Sequence, residues 1–310
     1  MRIPIKETLF VTRGFKSSSM ERQTYLESIG ETFVFGYHAA LDISGPEALA
    51  SYLDETIPIE KRGFAFEGAA MSLALTDFMT LRRQGRLKCF IEGAGNAHLY
   101  MVYIGAGWAL ARFPLLYSWF MKAADPLLKW LAVEGMGFHQ AYFYTHKTLR
   151  DQKIPRQLAG YAQHAFYQGV GRCLWFVHGG DVDHMKDSIQ PLPQTYHADL
   201  WSGVGLAAAY AGGVEPDALK QLSQDAGIYH ADLAQGVAFA AKARCRAQNM
   251  APHTEMAAQL IGNCSAREAA DYTDTALEHI VSSPTQPAYA AWRKQIKSLM
   301  MMQEPLLTHQ

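Results

Sequence analysis

The amino-acid sequence predicts an all-α fold, in which tandem helix pairs of about 33 residues form an α/α toroid or a tightly curved α-solenoid. Three observations lead there. Glycine recurs at near-constant spacing, at Gly36, Gly68, Gly105, Gly135, Gly169, Gly203 and Gly236, with successive differences of 32, 37, 30, 34, 34 and 33. One segment is nearly duplicated: Tyr196 to Val204 reads YHADLWSGV, and Tyr229 to Val237 reads YHADLAQGV. Small residues also accompany the glycines at helical spacing. Four positions on stand Ala40, Ser72, Ala109, His139, Cys173, Ala207 and Ala240; two positions on stand His38, Ala70, Gly107, Gly137, Gly171, Gly205 and Ala238. Gly inside a helix costs about 1 kcal/mol relative to Ala, so its repetition points to backbones in close approach.

Composition agrees. Of 310 residues 49% are hydrophobic and only 18% charged, against about 25% in an average soluble domain, so disorder is excluded and a large core is expected. A net charge of -1 supplies no field for nucleic acid, which is excluded as a partner. Four scattered cysteines without a CxxC pair, and an amino terminus without an apolar signal-peptide stretch, place the expected location in the cytoplasm.

Taken in order, residues 1–20 are expected as an N-terminal arm, 21–250 as the repeats and 251–310 as closing helices with a frayed tail, all in one domain. Partner helices start where proline meets an acidic first turn, at Pro46-Glu47 and Pro216-Asp217, and at Asp125-Pro126 with an Asp cap. The stretch Leu99 to Met121 is long and apolar enough to cross a bilayer, but Arg112 near its middle and Pro114 favour two buried helical pieces. Peripheral membrane contact through Phe113, Leu116, Trp119 and Phe120 stays open. After Ala251 the pattern fades; a proline-spaced stretch at 282–287 precedes a closing helix around Trp292. A tetratricopeptide array has a similar period and ranks second, because its Trp, Leu-Gly and Tyr spacing is not reproduced.

The segments RGFAFEGAAM (62–71), GAGWALAR (105–112), DPLLKWLAVEGMGFH (125–139), QGVGRCLWFV (168–177), DLWSGVGLAAAYAGG (199–213) and LAQGVAFAAKAR (233–244) carry a family likeness. Over roughly residues 33–295 the chain resembles the uncharacterised family numbered 1702 among the domains of unknown function. Its members are often described as enediyne biosynthesis proteins. The resemblance implies a setting in specialised metabolism of polyketide, polyene or isoprenoid type, and it brings no reaction or catalytic residues with it.

Phosphate-loop, HExxH, GxSxG and dinucleotide motifs are absent, so no cofactor is assigned. Departures from the repeat are the better guide. Immediately before the marker glycines stand Phe35, Glu67, Ile104, Glu134, Gln168, Ser202 and Gln235; on the same helical face four later stand Ala39, Met71, Trp108, Phe138, Arg172, Leu206 and Phe239. Facing a concavity, these would give an aromatic pocket with a few acids and amides, the make-up of a small-molecule site. The competing reading makes them structural ion pairs and caps between helices.

His38 and His139 break columns otherwise filled by small residues, as proton carriers or as satisfied buried histidines. Asp181-Val182-Asp183-His184, after Gly179-Gly180, resembles the aspartate cluster by which class II terpene cyclases protonate an alkene. His184 stands where those enzymes have a third acid, and an exposed turn is the simpler reading. Asp199 and Asp232 read as helix caps, and His197 with His230 as a metal pair lacks a third ligand.

The expectation is a protein that binds a hydrophobic biosynthetic intermediate in an apolar concave pocket and performs an acid/base cyclisation or isomerisation. Glu67, Glu134, His139, Asp181 and Asp183 are the catalytic candidates. His38, Met71, Trp108, Phe138, Gln168, Arg172, Gln235 and Phe239 are the substrate-binding ones. The alternative is a non-catalytic helical scaffold or carrier that meets pathway protein partners.

Overall fold

The computed structural model describes residues 2–80, 85–278, 280 and 286–302; the prolines-and-serines stretch up to 285 and the expected frayed tail lie outside the described residues. Among the described residues the protein is all-helical, with sixteen α-helices and no strand. In chain order they are α1 (Phe10–Arg13), α2 (Met20–Asp42), α3 (Pro46–Thr56), α4 (Arg62–Met79), α5 (Arg86–Glu92) and α6 (Leu99–Arg112). Then follow α7 (Tyr117–Ala123), α8 (Lys129–Phe143), α9 (Tyr161–Val177), α10 (Met185–Ile189) and α11 (His197–Ala211). The last are α12 (Pro216–Ala226), α13 (His230–Arg246), α14 (Pro252–Gly262), α15 (Ala266–Glu278) and α16 (Ala288–Met301).

Seven helices, α2, α4, α6, α8, α9, α11 and α13, form the core, and each packs most extensively on the one before and the one after. Glycine makes this possible. A Cβ placed on Gly105, Gly135, Gly169, Gly203 or Gly236 would lie 1.9 to 2.1 Å from a carbonyl oxygen of the preceding core helix. That oxygen belongs each time to the residue before the preceding marker: Glu67, Ile104, Glu134, Gln168 and Ser202. A Cβ on the second glycine, Gly107, Gly137, Gly171 or Gly205, would strike the next helix instead, at the oxygens of Ala132, Phe166, Leu200 and Leu233. Each GxG thus serves two seams, one glycine to each neighbour.

This rule corrects the register expected for the first helix. Gly36 meets Ala65 O, the contact of a second glycine, whereas Gly68 meets Phe33 O. The first marker slot therefore belongs to Val34, two residues earlier. Phe33 replaces Phe35 in the column before the marker, Tyr37 replaces Ala39, and His38 moves into the column of His139.

The N-terminal arm is folded rather than loose. Ile3, Phe10 and Phe15 are buried, Phe10 N–H donates to Glu27 (2.7 Å), and Lys16 N–H donates to Val177 O at the end of α9 (3.2 Å). The start of α2 meets the ends of α9 and α11, where Arg22 donates to Gly180 O (3.0 Å) and Tyr25 OH to Ala211 O (2.8 Å). Proline opens α3 and α12 as expected. The Asp125 carboxylate accepts from Leu127 and Leu128 N–H (2.8 Å each) in a turn that delays α8 to Lys129.

Among the described residues no single helix is long and apolar enough to cross a membrane; Asn96–Arg112 and Pro114–Ala123 pass the test only together and are bent by 118° at Pro114. In this bend Phe113, Leu115 and Trp119 are exposed, while Phe120 is buried and Leu116 partly so.

Candidate functional site

Six core helices, α2, α4, α6, α8, α9 and α11, send side chains into one central cavity of about 60 Å3. Its wall includes Phe33, Glu67, Trp108, Phe138, Arg172 and Tyr210. These lie in or beside the two columns singled out before and after the marker positions, once the first helix is re-registered. The rings form a connected layer: Trp108 lies 4.5 Å from Phe33 and 5.3 Å from Phe138, and Phe138 lies 5.4 Å from Phe176, measured between ring centres. Ile3, Glu7 and Thr8 of the arm close one side. The volume is under half of the ~150 Å3 that admits benzene in an engineered apolar cavity.

Two buried groups give this cavity its chemistry. Burial raises the Glu67 carboxyl to about 7, against the pull of the Arg172 cation and the Trp108 indole N–H. Arg172 comes from the polar exception on α9; its guanidinium lies 5.7 Å above the Phe138 ring, and Nη1 has no hydrogen-bond partner among the described residues. An acid poised near neutrality and a cation with a free donor therefore share one apolar wall.

Glu134 is buried elsewhere. Its Oε1 accepts from Tyr289 OH (2.5 Å), it lines no part of the cavity, and burial raises it to about 7 although Arg172 and Arg293 oppose this. It feels the Arg172 charge on one side and bonds α16 through Tyr289 on the other. His139 stands behind the wall, with Arg112 Nε donating to its Nε2 (3.4 Å) and Trp108 edge-on at 5.5 Å; burial lowers its pKa to about 3, so it is neutral.

The remaining candidates scatter. Met71 and Gln168 are buried between helices, and Gln168 finds no partner for either amide atom among the described residues. Phe239 packs on Tyr289 and Trp292. His38 lies in an outer groove, accepting from Ile3 N–H (3.2 Å). Asp181 caps a short turn by accepting from Asp183 N–H (3.3 Å), and Asp183 is exposed, so this pair lies on the surface outside the cavity.

Sequence reasoning missed a second assembly. A cleft of about 550 Å3 opens between the first turns of α9, α11 and α13 and the flank of α16. Asp199 and Asp232, expected as caps, fall instead on the third residue of α11 and α13, because a 3-10 turn ahead of each helix starts it early. Both carboxylates turn to the cleft, Asp199 to His164 Nδ1 (2.7 Å) and Arg293 Nη1 (2.6 Å), and Asp232 to Lys297 (2.9 Å). Arg293 Nε also donates to Gln235 Oε1 (3.0 Å). The near-duplicate YHADL segments were the signal for this site, but α16 carries its cations and lies outside the repeat. No group of three or more His, Cys, Asp or Glu is placed to hold a metal among the described residues.

No curated protein and no solved structure shows a significant match to the chain. A family model does: residues 1–300 match the family described as protein of unknown function DUF1702, and the chain belongs to that family.

Proposed function

We propose, for this member of the DUF1702 family, that the central cavity binds a hydrophobic, carbonyl-bearing intermediate of specialised metabolism and isomerises it by proton transfer. The observation that carries the reading is Glu67 and Arg172 on one aromatic wall. Glu67 as carboxylate takes a proton from a carbon next to the carbonyl; the C–H electrons move to the carbonyl oxygen, which the free Arg172 donor stabilises. The Glu67 acid exchanges its proton with water while the enolate lasts, and a proton delivered from it to a carbon further along the conjugated chain restores the carboxylate and leaves an isomer. A carbocationic cyclisation fits less well, because a cation would form beside the Arg172 charge.

The seven core helices are read as a tightly curved solenoid rather than a closed ring. In a ring α13 would flank α2, whereas the start of α2 meets the ends of α9 and α11. The four cysteines are unpaired, which supports a reducing compartment such as the cytoplasm. The exposed Phe113, Leu115 and Trp119 favour a second reading, in which that bend docks a pathway partner or membrane surface.

Mass spectrometry of ligand that co-purifies with the protein identifies the class of molecule. Incubating that ligand, or a conjugated polyene ketone, in deuterated water with wild type and Glu67→Gln then tests the chemistry. Deuterium incorporation by the wild type, reduced at least a hundredfold in the variant, is the expected result. Equal incorporation removes Glu67 from the reaction; binding without incorporation in either makes the protein a carrier.

A further inference from the structure

The cleft at the first turns of α9, α11 and α13 has no part in the proton transfer assigned to Glu67, yet its groups are arranged for a ligand. His164 is about one-third exposed, and its Nδ1 is engaged by the buried Asp199 carboxylate at 2.7 Å. Its ring is stacked on Tyr161 (5.7 Å, 19°) and meets Tyr196 edge-on (5.1 Å). The imidazole is therefore fixed in orientation with Nε2 left over for a partner. Asp199 is itself held on its other oxygen by Arg293, so the pair is oriented from two sides.

Charge and depth point the same way. Three cations line the cleft, Arg293, Lys294 and Lys297, against the two carboxylates of Asp199 and Asp232, and Lys294 forms no ion pair among the described residues. The balance is positive before His164 is counted. At the floor Gln235 is almost fully buried; its Oε1 accepts from Ser202 and Arg293, and its Nε2 has no partner among the described residues. An unmatched donor, an excess cation and an oriented imidazole line one cleft and suit an acceptor group. Tyr161, Tyr196 and Pro287 supply apolar faces for the rest of a small molecule.

We infer that this cleft is a second ligand site, which takes a small organic acid with its carboxylate at His164 Nε2 and its body against the tyrosine faces. The ligand's carboxyl group and Nε2 meet through one shared proton, while Asp199 holds the ring at Nδ1. Arg293 is committed to Asp199, Gln235 and Tyr161, so it shapes the site, while Lys294 and Lys297 draw the ligand in.

Benzoate is the probe, with neutral benzamide as its isostere, and the readout is the imidazole signals of His164 in long-range proton–nitrogen spectra, assigned with His164→Gln. Benzoate is expected to move these signals saturably in the millimolar range. Benzamide, and benzoate with Lys294→Ala/Lys297→Ala, should be at least tenfold weaker. The double variant changes two outer side chains of α16, and its thermal transition reports whether it is folded. Asp199→Asn, where it folds, should lose the Nδ1–H tautomer and benzoate together. Equal response to benzoate and benzamide, a linear response, or an unaltered response in the lysine variant overturns the assignment. None of these outcomes depends on Glu67.

Discussion

At the scale of single residues the protein holds two acids and a histidine far from their ordinary states, and pH reads them with opposite signs. Glu67 and Glu134 are each raised from 4.5 to about 7 by burial. Between these values the native state keeps a proton that the unfolded chain gives up. The stability tied to each is fully present below about 4.5 and is lost as pH rises through about 7, at most about 3 kcal/mol apiece. Because both feel Arg172, the two losses are not additive. Glu67→Gln removes that penalty, so its melting temperature relative to wild type should be higher at pH 8 than at pH 5; an unchanged difference across this range would show that Glu67 is an ordinary carboxylate. His139 behaves in reverse. Its pKa is lowered to about 3, so its contribution is present above about 6.5 and is lost as pH falls towards 3. His139→Asn should flatten the acid limb of the melting curve between pH 6.5 and 4, and a limb as steep as wild type would place the acid sensitivity in other buried histidines.

Between elements the decisive quantity is the distance of closest approach of two helix backbones. Gly169 faces Glu134 O and Gly137 faces Phe166 O, and in both a Cβ would sit at 1.9 Å from main-chain oxygen. No side-chain rotation relieves such a clash, so the helices must separate. Gly137→Ala or Gly169→Ala should each cost on the order of 3 kcal/mol or more, although Ala is the better helix former by about 1 kcal/mol. Thermal melts decide this, and a neutral or stabilised variant would refute the close-seam account. Gly30→Ala is a contrast: its Cβ would meet the Thr8 side chain at 2.9 Å, which the arm can relieve by shifting while the core seams stay intact.

The same glycine columns were readable in the chain, with one error of register. Gly36 invited alignment as a marker because it is a glycine at nearly the right distance. The contact it makes is that of a second glycine, and only Ala65 O against Phe33 O distinguishes the two. With that shift His38 ceases to be an exception beside Gly107 and Gly137, and the wall residue of α2 becomes Phe33. Trp108, Phe138 and Arg172 were legible because a helix puts positions four apart on one face. Met71 and Phe239 share the column and yet miss the cavity: α4 reaches it through Phe64 and Glu67 instead, and Phe239 packs on Tyr289 and Trp292 of α16.

For the whole molecule, the arm forms part of the cavity wall. Ile3, Glu7 and Thr8 border it, and the arm is pinned through Phe10 to Glu27 and through Lys16 to Val177. Deleting residues 1–8 should raise the fluorescence of the apolar dye N-phenyl-1-naphthylamine at least fivefold and speed its entry, at some loss of melting temperature from the buried Ile3. Dye binding no better than wild type would mean that ligands enter elsewhere.

The sequence by itself determined the helical class and the glycine positions of the close seams, because each depends on residues within one helix or on the helix next to it. It also placed Glu67, Trp108, Phe138 and Arg172 among thirteen candidates, and these four line the cavity. Tertiary structure decided the rest. It parted Glu134 from Glu67 by giving it Tyr289 as a partner, it folded the arm over the cavity, and it brought Arg293 and Lys297 of α16 to Asp199 and Asp232. Those pairings join residues 65 to 155 positions apart, and no local period records which distant helix will cover which face.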